Sequence, residues 1–418
     1  MENLDEVLDK ASKCLNCKKP RCKEGCPIST DIPNFISKIK ENKLEEAFYI
    51  LKENNFFSEI CSTICPVENQ CTGNCIKSIK EKPVQINILE KYINNWAKEN
   101  NINYEPKLQE INGQKVAIIG AGPSGLAAAV DLRKAGFQVT IFEKEEKCGG
   151  ILEYGIPGFR LPKEIIKNMI DKVVNMGIEI KTEIEFGKDI TINDLKEKGY
   201  KNIFLGIGAT SQSTYKLTEV DTNQIINSDE FLKLYNKGEK IKNLGTTVVI
   251  GGGNVAFDSA RTAIRMGADE VYILYRRNKE LMPAREIELK EAIQDGVKIH
   301  FQTKVVGAKV EEGKIEEIEC IKTKIVDNKA VDIENSNYTM KADTVIFAIG
   351  AKADEKFFNS MGIHTENGLI CVDENYMTNL EGIYSGGDLV QAKSSVAKAI
   401  ATGKKVAKAI IERKESDK

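Results

Sequence analysis

A chain of 418 residues exceeds one ordinary hydrophobic core, so two or three domains are expected. With 41% hydrophobic and 29% charged residues it has a globular composition, and a formal net charge of −2 gives no electrostatic reason for nucleic acid or an anionic membrane as partner. No apolar run approaches a membrane span, and the start, MENLDEVLDK, is acidic where a secretory signal would be basic, so a cytoplasmic, reducing location is expected.

The chain begins with cysteine. Eight of the 11 cysteines fall between Cys14 and Cys75, a density that points to metal rather than disulfides in a reducing compartment. The first group reads Cys14-x2-Cys17-x4-Cys22-x3-Cys26-Pro27, and the second reads Cys65-Pro66-x4-Cys71-x3-Cys75, with Cys61 one helical turn ahead of it. Short cysteine spacings followed by Cys-Pro resemble ferredoxin-type iron–sulfur ligation, and zinc is the rival ligand for the same thiolates. Histidine is scarce. His300 ends a strand-like VKIHF and His364 lies in a loop-like stretch, so both read as structural. Their scarcity argues against His-ligated zinc and against a hydrolase that needs a histidine base.

The segment VQINILEKYINNWAKEN predicts an amphipathic helix with Ile86, Leu89, Ile93 and Trp96 on one face. ENNINYEPKLQEINGQ then reads as a polar linker. From Lys115 short apolar strands alternate with helices, the pattern of α/β dinucleotide folds.

The first such unit is KVAII, GAGPSG, LAAAVDLRKAG and QVTIFEK. Gly120, Gly122 and Gly125 give G-x-G-x-x-G between strand and helix, where the glycines permit a tight turn, close approach of a pyrophosphate, and close helix–strand packing. Glu143 ends the next strand, 18 residues after Gly125, where a carboxylate accepts hydrogen bonds from ribose hydroxyls. The second unit is TTVVI, GGGNVA, FDSARTAIRMG and EVYILYRR. Gly251, Gly253 and Ala256 repeat the loop about 130 residues later, but the strand ends in Tyr275-Arg276-Arg277. Two guanidinium groups, with Arg285 nearby, suit the 2′-phosphate of NADP, because arginine pairs with phosphate in a planar, bidentate way. Near the end, GIYSGGDLV places Gly387 and Asp388 after a strand and before a helix beginning near Ser395. FAD-binding disulfide-reductase-like proteins carry a similar late G-D, which favours FAD over NAD in the first loop. The closing ERKESDK reads as a frayed tail.

Taken in order, GAGPSGL, CGGILEYGIPGFRLPK, GGGNVAFDSAR, YRR, MPAR and YSGGD behind a cysteine-rich helical region resemble the small (β) subunit of NADPH-dependent glutamate synthase over nearly the whole chain. The same module occurs in the large subunit of electron-bifurcating NADH-dependent ferredoxin:NADP oxidoreductase and in the N-terminal half of dihydropyrimidine dehydrogenase. The resemblance implies FAD, NADP(H) and two [4Fe-4S] clusters. Carried over by motif, FAD would meet Gly120, Gly122, Pro123, Ser124, Gly125, Glu143, Lys144, Gly150, Leu152, Gly387 and Asp388. NADP would meet Gly251, Gly253, Asn254, Val255, Arg276, Arg277 and Arg285. Cys14, Cys17, Cys22 and Cys75 would hold one cluster, and Cys26, Cys65 and Cys71 the other. Its fourth ligand would be Glu90, with Cys61 competing and a solvated helix-face role for Glu90 as the plain alternative.

The expected fold is α/β: an N-terminal α-helical iron–sulfur domain followed by two Rossmann-like dinucleotide-binding domains in a glutathione-reductase-like layout. The expected partition is 1–110 for the clusters, 111–208 and 350–418 for FAD, and 209–349 for NADP. The expected function is an NADPH-dependent flavin oxidoreductase. Hydride would pass from NADPH to FAD, and electrons would leave singly through the clusters to a partner redox or glutamate-forming subunit in a hetero-oligomer, or to ferredoxin. A flavin disulfide reductase would need a cysteine pair by the flavin, and Cys148 and Cys320 each stand alone. A zinc-stapled nucleotide-binding assembly protein is the non-enzymatic rival.

Overall fold

The computed structural model of the chain describes residues 3–219, 222–241, 243–392 and 394–416, and it divides into two compact units. Unit 1 comprises Met1–Gly150, Arg160–Gly208 and Ala353–Lys418; unit 2 comprises Ile151–Phe159 and Ala209–Lys352.

Unit 1 opens with helices Leu4–Ser12, Ile32–Lys40, Leu44–Asn54, Ser58–Ile64 and Ile86–Glu99. The first is set by a capping box in which Asn3 and Glu6 satisfy each other's backbone N–H. Their apolar stripes meet in one core containing Val7, Phe35, Ile36, Leu51, Leu89 and Ile93. The helix Ile86–Glu99 turns a slightly different face inward than its apolar spacing predicts. Ala97 is buried and Trp96 is half-buried, while Glu90 joins Leu89 and Ile93 inside, so Glu90 is not a solvated residue. The polar linker is also not featureless, because Ile102 and Tyr104 pack back on this core.

The rest of unit 1 is a five-stranded parallel sheet in the order Ile383–Ser385, Tyr200–Leu205, Lys115–Ile119, Gln138–Phe142, Glu179–Lys181. Ile118 stands opposite Ile141 on one side and Phe204 on the other. Val116 to Ile119 are all buried, which is why this strand is a continuous apolar run rather than an alternating one. Helices Pro123–Lys134 and Val396–Ser416 pack together on this sheet's unit. The latter continues through most of the expected frayed tail, whose last two residues lie outside the described ones.

Unit 2 holds a second five-stranded parallel sheet, ordered Ile225–Asn227, Thr344–Phe347, Thr246–Ile250, Glu270–Tyr275, Lys298–Phe301. An antiparallel sheet built on Thr303–Glu311 and Lys314–Val326 accompanies it. Among the described residues no helix is long and apolar enough to cross a membrane.

Candidate functional site

The strand Lys115–Ile119 runs directly into the first glycine loop. Gly120 has φ +101°, and a Cβ there would lie 2.6 Å from the Gly206 carbonyl oxygen. A Cβ on Gly125 would lie 2.0 Å from the Gly120 carbonyl oxygen, so the helix can start this close to the strand only without a side chain. Gly122 is different: nothing lies within 4 Å of its Cβ position, which leaves the backbone open to a ligand on that side. Pro123 opens the helix, where its missing N–H has no intrahelical partner to lose.

Glu143 is buried at the strand end and fixes the loop. Its Oε2 accepts from Ala121 N–H at 2.7 Å and its Oε1 from Glu145 N–H at 2.9 Å. Lys144 beside it is exposed. Gly149 N–H donates to the Ala121 carbonyl at 2.9 Å, which brings the Cys148-Gly149-Gly150 turn onto the loop. A Cβ on Gly150 would come within 2.9 Å of Gly122 Cα. Leu152, two residues on, is buried in unit 2.

Two residues that the sequence reading missed tie the C-terminal helix to its surroundings, one to the late G-D turn and both to Ser124. Thr402 Oγ1 accepts from Gly387 N–H at 2.8 Å and lies 3.4 Å from Ser124 Oγ. A Cβ on the next residue, Gly403, would lie 2.1 Å from the Ser124 carbonyl oxygen. The clue was a glycine inside an apolar helical run, IATGKKVA, which costs helix stability unless close packing needs it. Asp388 sits at this turn; burial raises its carboxyl pKa, and a hydrogen bond from Ser394 opposes the shift.

The second cradle repeats the geometry in unit 2. A Cβ on Gly251 would lie 2.3 Å from the Ala348 carbonyl oxygen, whereas nothing lies within 4 Å of a Cβ on Gly253. Asn254 and Val255 open the helix Asn254–Arg265, and Ala256 is fully buried against the core. Arg276 is exposed and Arg277 half-buried at the end of strand Glu270–Tyr275. The following loop is pinned to the cradle: Tyr275 Oη donates to the Leu281 carbonyl at 2.7 Å, and Ala284 N–H donates to the Gly252 carbonyl at 3.1 Å. Arg285 is thereby carried next to the glycine loop, where its N–H also donates to Glu288 Oε2 at 3.2 Å.

All eleven cysteines are free, and eight form two groups. Cys14, Cys17, Cys22 and Cys75 line one recess together with Leu15, Arg21 and Ile76. Burial pushes the Cys22 thiol up to about 11, and Cys14 and Cys75 add to the shift. The second group is Cys26, Cys61, Cys65 and Cys71 with Glu90. Burial, then Glu90 and Cys26, push the Cys71 thiol up to about 12. The Glu90 carboxyl is raised well above the usual range by burial and then by Cys61. Asn55 joins the two candidate fourth ligands, donating to Glu90 Oε1 at 3.3 Å and accepting from Cys61 Sγ at 3.9 Å. The buried Lys52 lies beside them and pairs with Glu59 at 3.0 Å, which also meets Lys172 at 3.2 Å. Neither Asn55 nor Lys52 has a motif that marks it in sequence. Gln70, between Cys65 and Cys71, donates to Ser395 Oγ at 3.2 Å and so ties this group to the start of the long C-terminal helix.

The donor set fits the groups that the sequence implies. The glycines leave two open cradles, and the thiols stand in two spread groups. Among the described residues no group of three or more Cys, His, Asp or Glu side chains is placed to hold a single metal ion. The histidines stay apart from all of this: His300 stacks edge-on against Tyr272 at 5.5 Å, and His364 is exposed in a loop.

Two dinucleotide cradles on parallel sheets, preceded by a cysteine-rich helical domain, define a flavin-dependent oxidoreductase with an iron–sulfur module. The chain belongs to the pyridine nucleotide-disulphide oxidoreductase family, whose profile matches residues 114–403. Residues 2–102 match the family described as dihydropyrimidine dehydrogenase domain II, 4Fe-4S cluster. The chain is 32% identical to the small chain of NADPH glutamate synthase from Escherichia coli K12, over 96% of this chain and 90% of that one. It is 31% identical to the NAD-dependent dihydropyrimidine dehydrogenase subunit PreT of Escherichia coli O157:H7, over 97% of this chain and 93% of that one. Among solved structures, Mycobacterium tuberculosis FprA in complex with NADPH shares the fold, with a TM-score of 0.63 at 19% identity over 73% of this chain and 86% of that one.

Proposed function

We propose that the protein is the NADPH-oxidising subunit of a hetero-oligomeric enzyme, feeding single electrons to a partner subunit. When bound, NADPH would supply a hydride, FAD would accept the electron pair and release it one electron at a time, and iron–sulfur clusters would carry those single electrons. The chain's own residues bind and orient. In the first cradle Gly120, Gly122, Pro123, Ser124 and Gly125 admit the FAD pyrophosphate at a helix N-terminus, and Glu143 presents a carboxylate to the ribose. Lys144 and Gly150 flank that site, and Gly387 with Asp388 meets the flavin side of the cofactor. In the second cradle Gly251, Gly253, Asn254 and Val255 take the NADPH pyrophosphate, and Arg276, Arg277 and Arg285 take the 2′-phosphate.

Two [4Fe-4S] clusters are assigned to residues 1–110, the first on Cys14, Cys17, Cys22 and Cys75. The second is assigned to Cys26, Cys65, Cys71 and Glu90, with Cys61 as a neighbour rather than a ligand. Residues 111–208 and 350–418 serve FAD, and 209–349 serve NADP. The observation that carries the reading is the hydrogen bond from Gln70 to Ser395. It ties the second cysteine group to the start of the helix that follows Asp388, which supports a cluster there close enough to a bound flavin to take one electron at a time. The 32% identity to the glutamate synthase small chain supports a glutamate-forming partner.

Anaerobic titration with NADPH tests this: flavin absorbance should bleach and a cluster signal in electron paramagnetic resonance should follow. A flavin that bleaches while the clusters stay oxidised would defeat the relay. Iron content separates the fourth ligands, since Glu90→Ala should lose the second cluster and Cys61→Ser should keep it. Native co-purification identifies the partner, and a ferredoxin-coupled complex without a glutamate-forming chain would redirect the assignment.

A further inference from the structure

We propose that the surface over the first cysteine group is a docking face for an acidic, one-electron-accepting partner protein. The inference deepens the reading above and rests on electrons leaving through the Cys14, Cys17, Cys22 and Cys75 quartet.

Cys14, Cys17 and Cys22 of the quartet are half-buried, and what sets their surroundings apart is exposed apolar side chains. Leu15, between two of its cysteines, is 64% exposed, and Ile79, just past another, is 60% exposed. Asn16 at φ +48° makes the turn that leaves Leu15 outward beside Cys14 and Cys17. Leu15 and Ile76 line the recess that holds the four thiols, so the two chain segments meet there. Exposed aliphatic side chains have no structural reason to gather at a metal-binding recess, but the centre of a protein interface is apolar.

The rim is cationic. Lys18, Lys19 and Arg21 stand exposed on one segment and Lys80 and Lys82 on the other, and none forms an ion pair among the described residues. Among the acids of the same two segments, Glu81 pairs with Lys77 at 2.7 Å, and exposed Glu24 and Glu68 offset only part of the positive charge. This basic ring sits on a chain whose formal net charge is −2. Such local charge steers an oppositely charged partner and fixes its approach. Nucleic acid would use aromatic side chains to stack bases, and the recess and its rim carry aliphatic ones instead.

The test uses the cluster-loaded, full-length protein with two probes: rubredoxin, an acidic one-electron acceptor, and horse cytochrome c, a basic one. Anisotropy of labelled rubredoxin reads binding without any electron transfer. Stopped-flow with NADPH then reads flavin bleaching and acceptor reduction separately, so failure of the relay is visible as unbleached flavin or silent clusters. Rubredoxin should bind, and its affinity should fall about tenfold on going from low salt to roughly 0.5 M. Lys18→Glu/Lys19→Glu/Arg21→Glu should weaken it about tenfold more, with flavin bleaching unchanged. Because those three lie between cluster cysteines, Lys80→Glu/Lys82→Glu provides a second variant outside that spacing, with a fall of about threefold expected. Equal or tighter binding of cytochrome c, or rubredoxin binding indifferent to salt and to both variants, would overturn the proposal.

Discussion

The two glycine loops are nearly the same device and end in opposite chemistry. Each begins where a buried parallel strand meets a helix, each has a first glycine pressed against a neighbouring carbonyl, and each has a second glycine with open space at its Cβ position. In unit 1 the next strand delivers Glu143, buried and already accepting two backbone N–H groups. In unit 2 it delivers Arg276 and Arg277, with Arg285 brought alongside by the Ala284 to Gly252 bond. On the proposed function the loop would read a feature that all dinucleotides share, and the strand end would read the feature that separates them. A carboxylate favours ribose hydroxyls and repels a 2′-phosphate; a guanidinium pair does the reverse.

The largest effect should come from Glu143→Ala. It removes the proposed ribose acceptor and frees two loop N–H groups, for about 3 kcal/mol, or roughly a hundredfold in FAD affinity. The flavin-to-protein ratio after desalting reads it, and a full complement of FAD would break the comparison. Arg276→Ala/Arg277→Ala should cost about 2 kcal/mol, roughly thirtyfold in KM for NADPH, while KM for NADH stays the same. Equal losses with both nucleotides would mean that the pair has no part in telling them apart. Gly403→Ala forces a methyl group against the Ser124 carbonyl and should lower stability by about 1.5 kcal/mol in a denaturant titration. Its effect should reach FAD retention and leave NADPH binding alone. Smallest, Tyr275→Phe removes the bond to the Leu281 carbonyl, for about 1 kcal/mol. It should raise KM for NADPH a few-fold by loosening the segment that carries Arg285, and no change in KM would uncouple that segment from the site.

What could be read from the sequence was local. Glycine spacing, the flanking strands and the residue at each strand end all lie within some thirty positions, and the physics of a tight turn restricts them to few choices. The two cysteine runs were legible for the same reason, whereas the grouping of Cys75 with Cys14, Cys17 and Cys22 came only from the family resemblance. Glu90 was half-legible: the family resemblance pointed to it, but the helical period named only its apolar neighbours and cannot say which residue will cover a carboxylate. Asn55, which reaches Glu90 across 35 positions, and Thr402, which reaches Ser124 across 278, depend on the finished tertiary structure. The closing segment looked like a tail because its residues are polar, yet the helix continues to Ser416, with Arg413 held by Glu381 at 2.6 Å.

The short segment Ile151–Phe159 has an effect on how the molecule is made. It belongs to unit 2, where the Phe159 ring lies beneath the guanidinium groups of Arg261 and Arg265 at 4.9 and 4.1 Å and the Tyr154 carbonyl accepts from Asn236 at 2.8 Å. A ribosome delivers this piece dozens of residues before the partners it must find. It has to wait unpaired while Arg160–Gly208 is synthesised, and unit 2 closes only after the chain has doubled back to it. A fragment cut at Ala209 would be born without that piece and would leave the Arg261–Arg265 face bare.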